Sequence, residues 1–514
     1  MPESLPRSDV QPVLVEGDTC WRKVRASRAT FIVDAADYFA AAKEAILRAE
    51  RCVYLIGWEF DLATKLTRGS GQDGTPDQLR QFLNHAVKSR PDLEIFILQW
   101  DGAMLFNIAR QLGSYLLLKM QAKPQIHFRL DSKHPAGACH HQKIVVIDDV
   151  LAFCGGIDMT SGRWDTSHHL SGDERRERDG ETPVPWHDMT LAVEGEAAKA
   201  LGELARWRWK NATGHDLPVP DRQGTIWPTG LSADCEDVTL GIARTWQPIE
   251  GDGEIREIER LWKKAIRSAR HSIYIENQFL SSGRIADALR QKLEEEDGPD
   301  IVIVLPYSAE SWLEAEAMDS ARALIVSDLR SADRHGRLGI YHPVNAMGDH
   351  IYVHAKLLIV DDRFIRVGSS NMSSRSMTFD SECDIAMETE GQPAVQSVIA
   401  SLRKRLLGEH LGKSIEEIEA ELDRCSGSMV QMIERVRGKQ GTTLQTLQPG
   451  ELNPSEMALA KSRLMDPEEP VKPSKRLFGF AQRAAKRSRV PLAAGATVAA
   501  LATVWASQRA KRGD

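Results

Sequence analysis

The sequence predicts an α/β protein assembled from two homologous halves, and three observations carry that expectation. One pattern occurs twice: His141-Gln142-Lys143 leads into Ile144-Val145-Val146-Ile147-Asp148, and His354-Ala355-Lys356 leads into Leu357-Leu358-Ile359-Val360-Asp361. The repeat is wider than the motif, because Ala45 to Ile56 is echoed by Ala265 to Glu276 at an offset of 220 residues, and the two histidines lie 213 apart. Helical and strand periodicities also alternate in the same order in both halves, which implies helices covering buried sheets. A duplication of this size exceeds any solenoid repeat. The expected architecture is two α-β-α sandwich halves related by a pseudo-twofold axis, with a helical C-terminal tail.

The chain has 514 residues, too many for one ordinary core. With 42% hydrophobic and 27% charged residues its composition is that of a globular protein. A formal charge of −7 argues against a general nucleic-acid binder, which carries a basic footprint. The seven cysteines are scattered without a CxxC pair, so neither a zinc knuckle nor a disulfide framework is expected. Met1 to Val15 is polar and lacks an apolar core segment, so no Sec-type signal is read there, and a cytoplasmic location is expected.

Taken in order, residues 1–25 read as a flexible leader and 26–215 as the first half. Ala35 to Ala49 has helical spacing, and Cys52 to Ile56 reads as a strand. Thr166 to Pro185 is too polar for a core; it reads as a solvated loop, or else as a rim over the site. His168 and His169 have no partners at metal-ligand spacing, and no metal or cofactor is expected. Trp186 to Gly195 and Ser381 to Glu388 read as equivalent strands, which places Asp188 opposite Glu382. Residues 216–250 lack periodicity and read as a linker, 251–410 as the second half, and 411–471 as a helical and flexible extension. The tail, 472–514, is basic up to Arg489 and apolar from Val490 to Ala506, a combination suited to an anionic lipid surface.

Each motif has the form His-x-Lys-x4-Asp, and a glycine follows each histidine by fourteen residues, at Gly155 and Gly368. In an extended chain residues two apart share a face, so His141 projects with Lys143 and His354 with Lys356. Each pair is equipped to meet one phosphate. Two lysines supply charge without a metal, and two histidines supply a nucleophile and a proton donor. The Gly155-Gly156 turn leaves room for a close approach to His141.

This doubled motif resembles the two HKD motifs of the phospholipase D superfamily, and the likeness to bacterial phospholipase D-like proteins covers roughly residues 20–410. The flanks agree: Gly156-Ile157-Asp158-Met159-Thr160-Ser161-Gly162-Arg163-Trp164-Asp165 follows the first motif, and Gly368-Ser369-Ser370-Asn371-Met372-Ser373-Ser374-Arg375-Ser376 the second. The resemblance implies a phospholipase D-like fold and covalent catalysis through a phosphohistidine. It implies catalytic roles for His141, Lys143, Asp148, His354, Lys356 and Asp361, with Asp148 and Asp361 ordering each motif's turn. Lys143, Lys356, Ser369 and Asn371 would hold phosphoryl oxygens. Asp158, as an anion, suits that task poorly. Asp188 and Glu382 would each orient the histidine of its own half. The expected reaction is hydrolysis of glycerophospholipids to phosphatidic acid, or phosphatidyl transfer to an alcohol, at a membrane surface and without nucleic acid. The alternatives are a cardiolipin synthase-like phosphatidyltransferase, a metal-independent nuclease and an inactive membrane adaptor.

Overall fold

The computed structural model describes residues 11–468 apart from 69–73, 103–122, 177–179, 181, 250–252, 310–317 and the single positions 439, 449, 451 and 464. The basic and apolar tail expected over 472–514 lies outside the described residues. Among those described, no helix is long and apolar enough to cross a membrane.

The first half contributes β1 (Arg22–Val33), β2 (Cys52–Gly57), β3 (Glu94–Trp100), β4 (Ile126–Asp131), β5 (Ile144–Ile147), β6 (Leu151–Gly155), β7 (Trp186–His187) and β8 (Met189–Glu194). The second contributes β9 (Cys235–Trp246), β10 (Ile255–Arg256), β11 (Ser272–Glu276), β12 (Asp300–Val304), β13 (Leu338–Val344) and β14 (Tyr352–Val353). It continues with β15 (Leu357–Val360), β16 (Phe364–Gly368), β17 (Glu382–Glu388) and β18 (Thr443–Thr446). Nearly all of them join one sheet in the order β18-β13-β12-β11-β15-β16-β17-β9-β1-β8-β6-β5-β2-β3-β4, with β10 added to β9. Read outward from the central β9–β1 pair, each first-half strand meets its counterpart at the same step. That order is the pseudo-twofold repeat, written in hydrogen bonds.

The central pair corrects the linker expected over 216–250. Twelve residues of it, Cys235–Trp246, form β9, which bonds antiparallel to β1 on one side and β17 on the other. Its polar alternation hid the strand, since the residues between two buried neighbours include exposed Glu236 and Asp237. The leader ends earlier than expected as well: β1 starts at Arg22, and Val13 and Leu14 are buried in the second half's core.

Helices cover both faces. One face is divided by half, with Ala35–Leu47 and Leu79–Ser89 over the first and Glu257–Ser268, Gly283–Glu294 and Ser320–Ala332 over the second. The other face carries one continuous core under Glu196–Thr213 and Pro393–Leu411, including Tyr54, Trp209, Tyr274 and Leu406. The β-branched runs of β5 and β15 are buried at every position because both faces are covered. The motif strands are thus fixed from both sides. Part of the extension also joins the fold, since β18 bonds to β13.

Candidate active site

Each motif histidine sits three residues before the start of its strand, and the other half holds its backbone there. His354 N–H donates to the carbonyl of His187 at 2.7 Å, next to the parallel pairing of β14 with β7. In the mirror relation His141 N–H donates to the carbonyl of Ser381 at 2.9 Å, beside a parallel bridge between His140 and Ser381. The residues that follow those two carbonyls are Asp188 and Glu382.

The carboxylates therefore act across the halves, which corrects the same-half assignment. His141 Nδ1 lies 3.0 Å from Glu382 Oε2, and His354 Nδ1 lies 2.6 Å from Asp188 Oδ2. Aligning the strands identified the right carboxylates, but only the pairing of the segments before them decides which imidazole each one meets. With Nδ1 engaged, Nε2 is the ring atom left for a phosphorus, and the carboxylate sets that tautomer.

Glu382 is itself held by the motif that follows His354. Ser369 Oγ donates to its Oε2, and Ser376 Oγ donates to its Oε1 at 2.7 Å. Ser369 thus serves the carboxylate instead of a phosphoryl oxygen. At the equivalent first-half position a side chain has no room: a Cβ on Gly156 would lie 2.2 Å from Asp188 Oδ1. A Cβ on Gly155 would lie 2.4 Å from the Cα of Thr190 in the neighbouring strand, as one on Gly368 would run into Asp384. The two glycines make space for Asp188 and β8, and not for substrate.

Each lysine donates to the carbonyl of its own motif histidine, Lys356 to that of His354 as Lys143 to that of His141, and the halves differ in the other partners. Lys143 Nζ donates to the His141 carbonyl at 2.9 Å and is ion-paired with Asp158 at 3.1 Å. Asp158 is fixed by the Trp58 N–H at 2.9 Å, so the anion that suits phosphate poorly instead balances a lysine. Lys356 Nζ meets an amide oxygen, Gln278 Oε1, at 3.2 Å, and His354 Nδ1 at 3.0 Å. Asn371 Nδ2 reaches the same Gln278 oxygen at 3.4 Å, which places it beside Lys356. The imidazoles differ in access too. The His141 side chain is 14% exposed and that of His354 6%, the latter under the Trp186 ring with centroids 5.1 Å apart.

Burial, reinforced by the charges of Lys143 and Lys356, holds the His141 imidazole well below the ordinary histidine range. Burial and the charges of Lys356, Arg163 and Lys143 do the same to His354. Burial also pushes Lys356 down to about 7 against the pull of Asp188, and pushes Asp188 up to about 7. The same desolvation raises Glu382, with its two serine donors opposing. Both imidazoles respond to both lysines, so the four side chains form one electrostatic unit. It is a concentration of positive charge that an anion would relieve.

Asp148 and Asp361 do not join this unit. They stand at the far ends of β5 and β15, at positive φ of 52° and 53°. Asp148 accepts the backbone N–H groups of Glu50, Arg51 and Cys52 at 2.7, 2.8 and 2.7 Å; Asp361 accepts those of Arg270, His271 and Ser272, each at 2.8 Å. Each aspartate pins the start of the adjacent strand, so its contribution is to stability. Asp148→Ala should cost about 3 kcal/mol, because buried amides and Arg222 lose their acceptor. Denaturant midpoints should fall while the turnover of folded protein stays within a few-fold; an intact midpoint with turnover abolished would return Asp148 to the chemistry.

The polar loop over 166–185 is also revised. His168 is exposed, yet His169 and Arg176 are each 2% exposed and reach inward, with Arg176 paired to Asp165 at 3.1 Å. Sequence reasoning passed over Gln278, Glu276 and Trp186. One signal was available for Glu276, which ends an apolar run where the first half has Ile56.

Comparison with known proteins finds phospholipase D-like relatives. Residues 262–406 match the family model described as cardiolipin synthase, PLD-like domain. Phospholipase D1 of Schizosaccharomyces pombe is 25% identical over 493 residues, covering 76% of this chain and 36% of the relative. Phospholipase D A of Dictyostelium discoideum is 28% identical over 465 residues, covering 74% and 35%. These matches support membership of the phospholipase D superfamily. The chain spans about a third of the length of these two relatives. A phospholipase D2 of Bos taurus is 22% identical over 507 residues, with 75% of this chain and 53% of the relative covered. Among solved structures, the phosphatidylserine synthase of Haemophilus influenzae superposes with a TM-score of 0.54 at 12% identity. It covers 81% of this chain and 96% of its own, and so shares the fold. In the superfamily's terms, both HKD motifs are intact here, and their histidines and lysines are brought together.

Proposed function

We propose that this protein is a phospholipase D-type phosphodiesterase that cleaves glycerophospholipids through a phosphohistidine. The observation that supports it most is the pair of crossed His–carboxylate contacts beside two lysines. In this reading Lys143 and Lys356 bind the phosphate anion and offset its charge. Nε2 of His141, the more exposed imidazole, attacks phosphorus. The P–O bond to the headgroup breaks as His354 gives that oxygen its proton, and the alcohol leaves. Water, or an acceptor alcohol, then passes a proton to His354 while its oxygen displaces His141, releasing phosphatidic acid or a phosphatidyl alcohol. The bound anion offsets the lysine charges that depress His354, which lets it carry the proton in the complex.

The discriminating experiment is incubation of the full chain with defined phospholipids, with and without ethanol, followed by lipid mass analysis. Phosphatidic acid in water and phosphatidylethanol with ethanol support the proposal. Transfer to glycerol-bearing lipid with no hydrolysis would favour the phosphatidyltransferase. Cleavage confined to DNA or RNA would favour the nuclease, and an inert protein would favour the adaptor.

The depressed Lys356 carries a pH signature. A lysine is charged below its pKa, so phosphate binding should weaken as pH rises through about 7 in the free protein. We expect kcat/KM to fall on that alkaline side, with the limb in kcat displaced upward because bound phosphate favours the charged lysine. A kcat/KM profile that is flat through the alkaline range would contradict this. We also assign membrane contact to the basic and apolar residues 472–514; their deletion should weaken binding to anionic vesicles and spare turnover of a soluble phosphodiester. Equal vesicle binding with and without them would reject that assignment.

A further inference from the structure

Behind Asp188 lies a second concentration of titratable side chains that the proposed chemistry does not use. Asp34, His169, His187 and Glu409 bring one ligand atom each within 4.8 Å of one another. They come from four separate segments: the β1–helix junction, the polar loop, β7, and the helix Pro393–Leu411 of the second half. His169 Nε2 lies 3.2 Å from Glu409 Oε1 and 3.8 Å from Asp34 Oδ2, while His187 Nδ1 lies 2.9 Å from Glu409 Oε1 and 3.3 Å from Asp34 Oδ1. A tetrahedral cation with ligands at about 2.1 Å has edges of about 3.4 Å. The four measured separations bracket that length, although Asp34 meets the two imidazoles through different carboxylate oxygens.

The contacts are only partly satisfied as hydrogen bonds, that of His169 with Glu409 being one. His187 Nδ1 and Asp34 Oδ2 are buried and neither has a hydrogen-bond partner, although both face oppositely charged groups. The far nitrogens are well held: His169 Nδ1 lies 3.1 Å from Asp165 Oδ2 and His187 Nε2 lies 2.8 Å from Glu276 Oε2. A carboxylate on the distal nitrogen of a histidine is the arrangement that orients metal-ligating imidazoles. Charge points the same way. Asp34, Asp165 and Glu276 are buried and the Glu409 side chain is 6% exposed; Arg176 pairs with Asp165, and His410 Nε2 lies 2.9 Å from Glu276. Buried anions need compensation, from protons on the histidines or from a divalent ion.

We propose that Asp34, His169, His187 and Glu409 form a structural site for a tetrahedral divalent cation, with zinc the best fit to two imidazole nitrogens and two carboxylate oxygens. This revises the expectation that the chain holds no metal, which rested on spacing along the sequence; these ligands converge only in the fold. The ion would clasp the two halves, since three ligands come from the first and Glu409 from the second. It would also brace the active site from behind. Asp34 N–H donates to the Asp188 carbonyl at 2.8 Å, and Asp34 Oδ1 accepts the Asp188 N–H at 3.2 Å.

The test is elemental analysis of the full chain purified without chelator from zinc-supplemented cells, and it needs no activity. We expect about one zinc per chain, lost in His169→Ala and in the conservative Glu409→Gln but kept in His168→Ala, whose side chain is exposed. Cobalt replacing zinc in the wild-type chain should show the intense visible bands of tetrahedral coordination, so the proposal does not depend on the variants folding. Protein that contains no divalent ion, and takes up neither zinc nor cobalt after unfolding and refolding with either, would overturn it. Zinc retained in both ligand variants would overturn it equally. The cluster would then be a network of protonated histidines, a state its carboxylates also favour by raising His169 to about 10.

Discussion

His141→Ala should abolish turnover of every phosphodiester, whereas His354→Ala should spare substrates that need no proton. The loss at His141 is that of the attacking atom, on the order of 10^5–10^6 in kcat. No change of leaving group can restore it. His354 is assigned the proton, and its removal should cost about 10^2–10^4 on a phospholipid, whose headgroup alkoxide leaves badly. With a nitrophenyl phosphodiester the leaving oxygen departs unprotonated, so His354→Ala should still release nitrophenol in a single burst. It would then stall with the covalent adduct in place, because the base that activates water is missing. A single stalled burst in His141→Ala, with no burst in His354→Ala, would reverse the two roles. The assignment follows from the resemblance to the superfamily, and the greater exposure of His141 and the Trp186 ring over His354 accord with it.

The crossed carboxylates make a second prediction that separates the halves by step. Glu382→Gln should impair formation of the adduct on all substrates, because Glu382 lies against the first-half histidine. Asp188→Asn should impair phospholipid cleavage but largely spare the nitrophenyl burst, because Asp188 lies against the proton donor. Each change keeps the side chain's shape and loses the anion that fixes the imidazole tautomer, an effect of about 10^2–10^4 in kcat. Had each carboxylate served its own half, the two phenotypes would be exchanged. Comparing single-turnover bursts of both variants decides between the arrangements. Ser376→Ala should resemble a milder Glu382→Gln, since it removes one of two serine donors to that carboxylate.

Much of this was legible in the sequence because the duplication is visible at the level of residue spacing. The motif strands are short apolar runs that declare themselves, and the glycines fourteen residues on mark where the next strand presses close. What escaped were the relations between the halves. β9 was read as linker because it opens with exposed Glu236 and Asp237, and its pairing partners, β1 and β17, lie more than a hundred residues away in opposite directions. The carboxylates were found by strand alignment but assigned to the wrong histidines, since a sequence shows equivalence and not contact. Ser369 was read as a phosphate ligand from its place in the motif, and only Glu382 beside it shows where its hydroxyl points. His169 lay in a polar stretch that looked solvated, because its partners Asp165, Asp34 and Glu409 are scattered over more than three hundred and fifty residues.

The central claim is that two half-sites form one catalytic centre with one nucleophile. Rapid quenching of the wild-type chain with phospholipid, under alkaline conditions that preserve phosphoramidate bonds, followed by peptide mass mapping, tests it most directly. The account predicts a phosphatidyl adduct on His141, saturating at about one per chain, with none on His354. An adduct on His354, adducts on both histidines of a chain, or turnover with no adduct under any quench would contradict it.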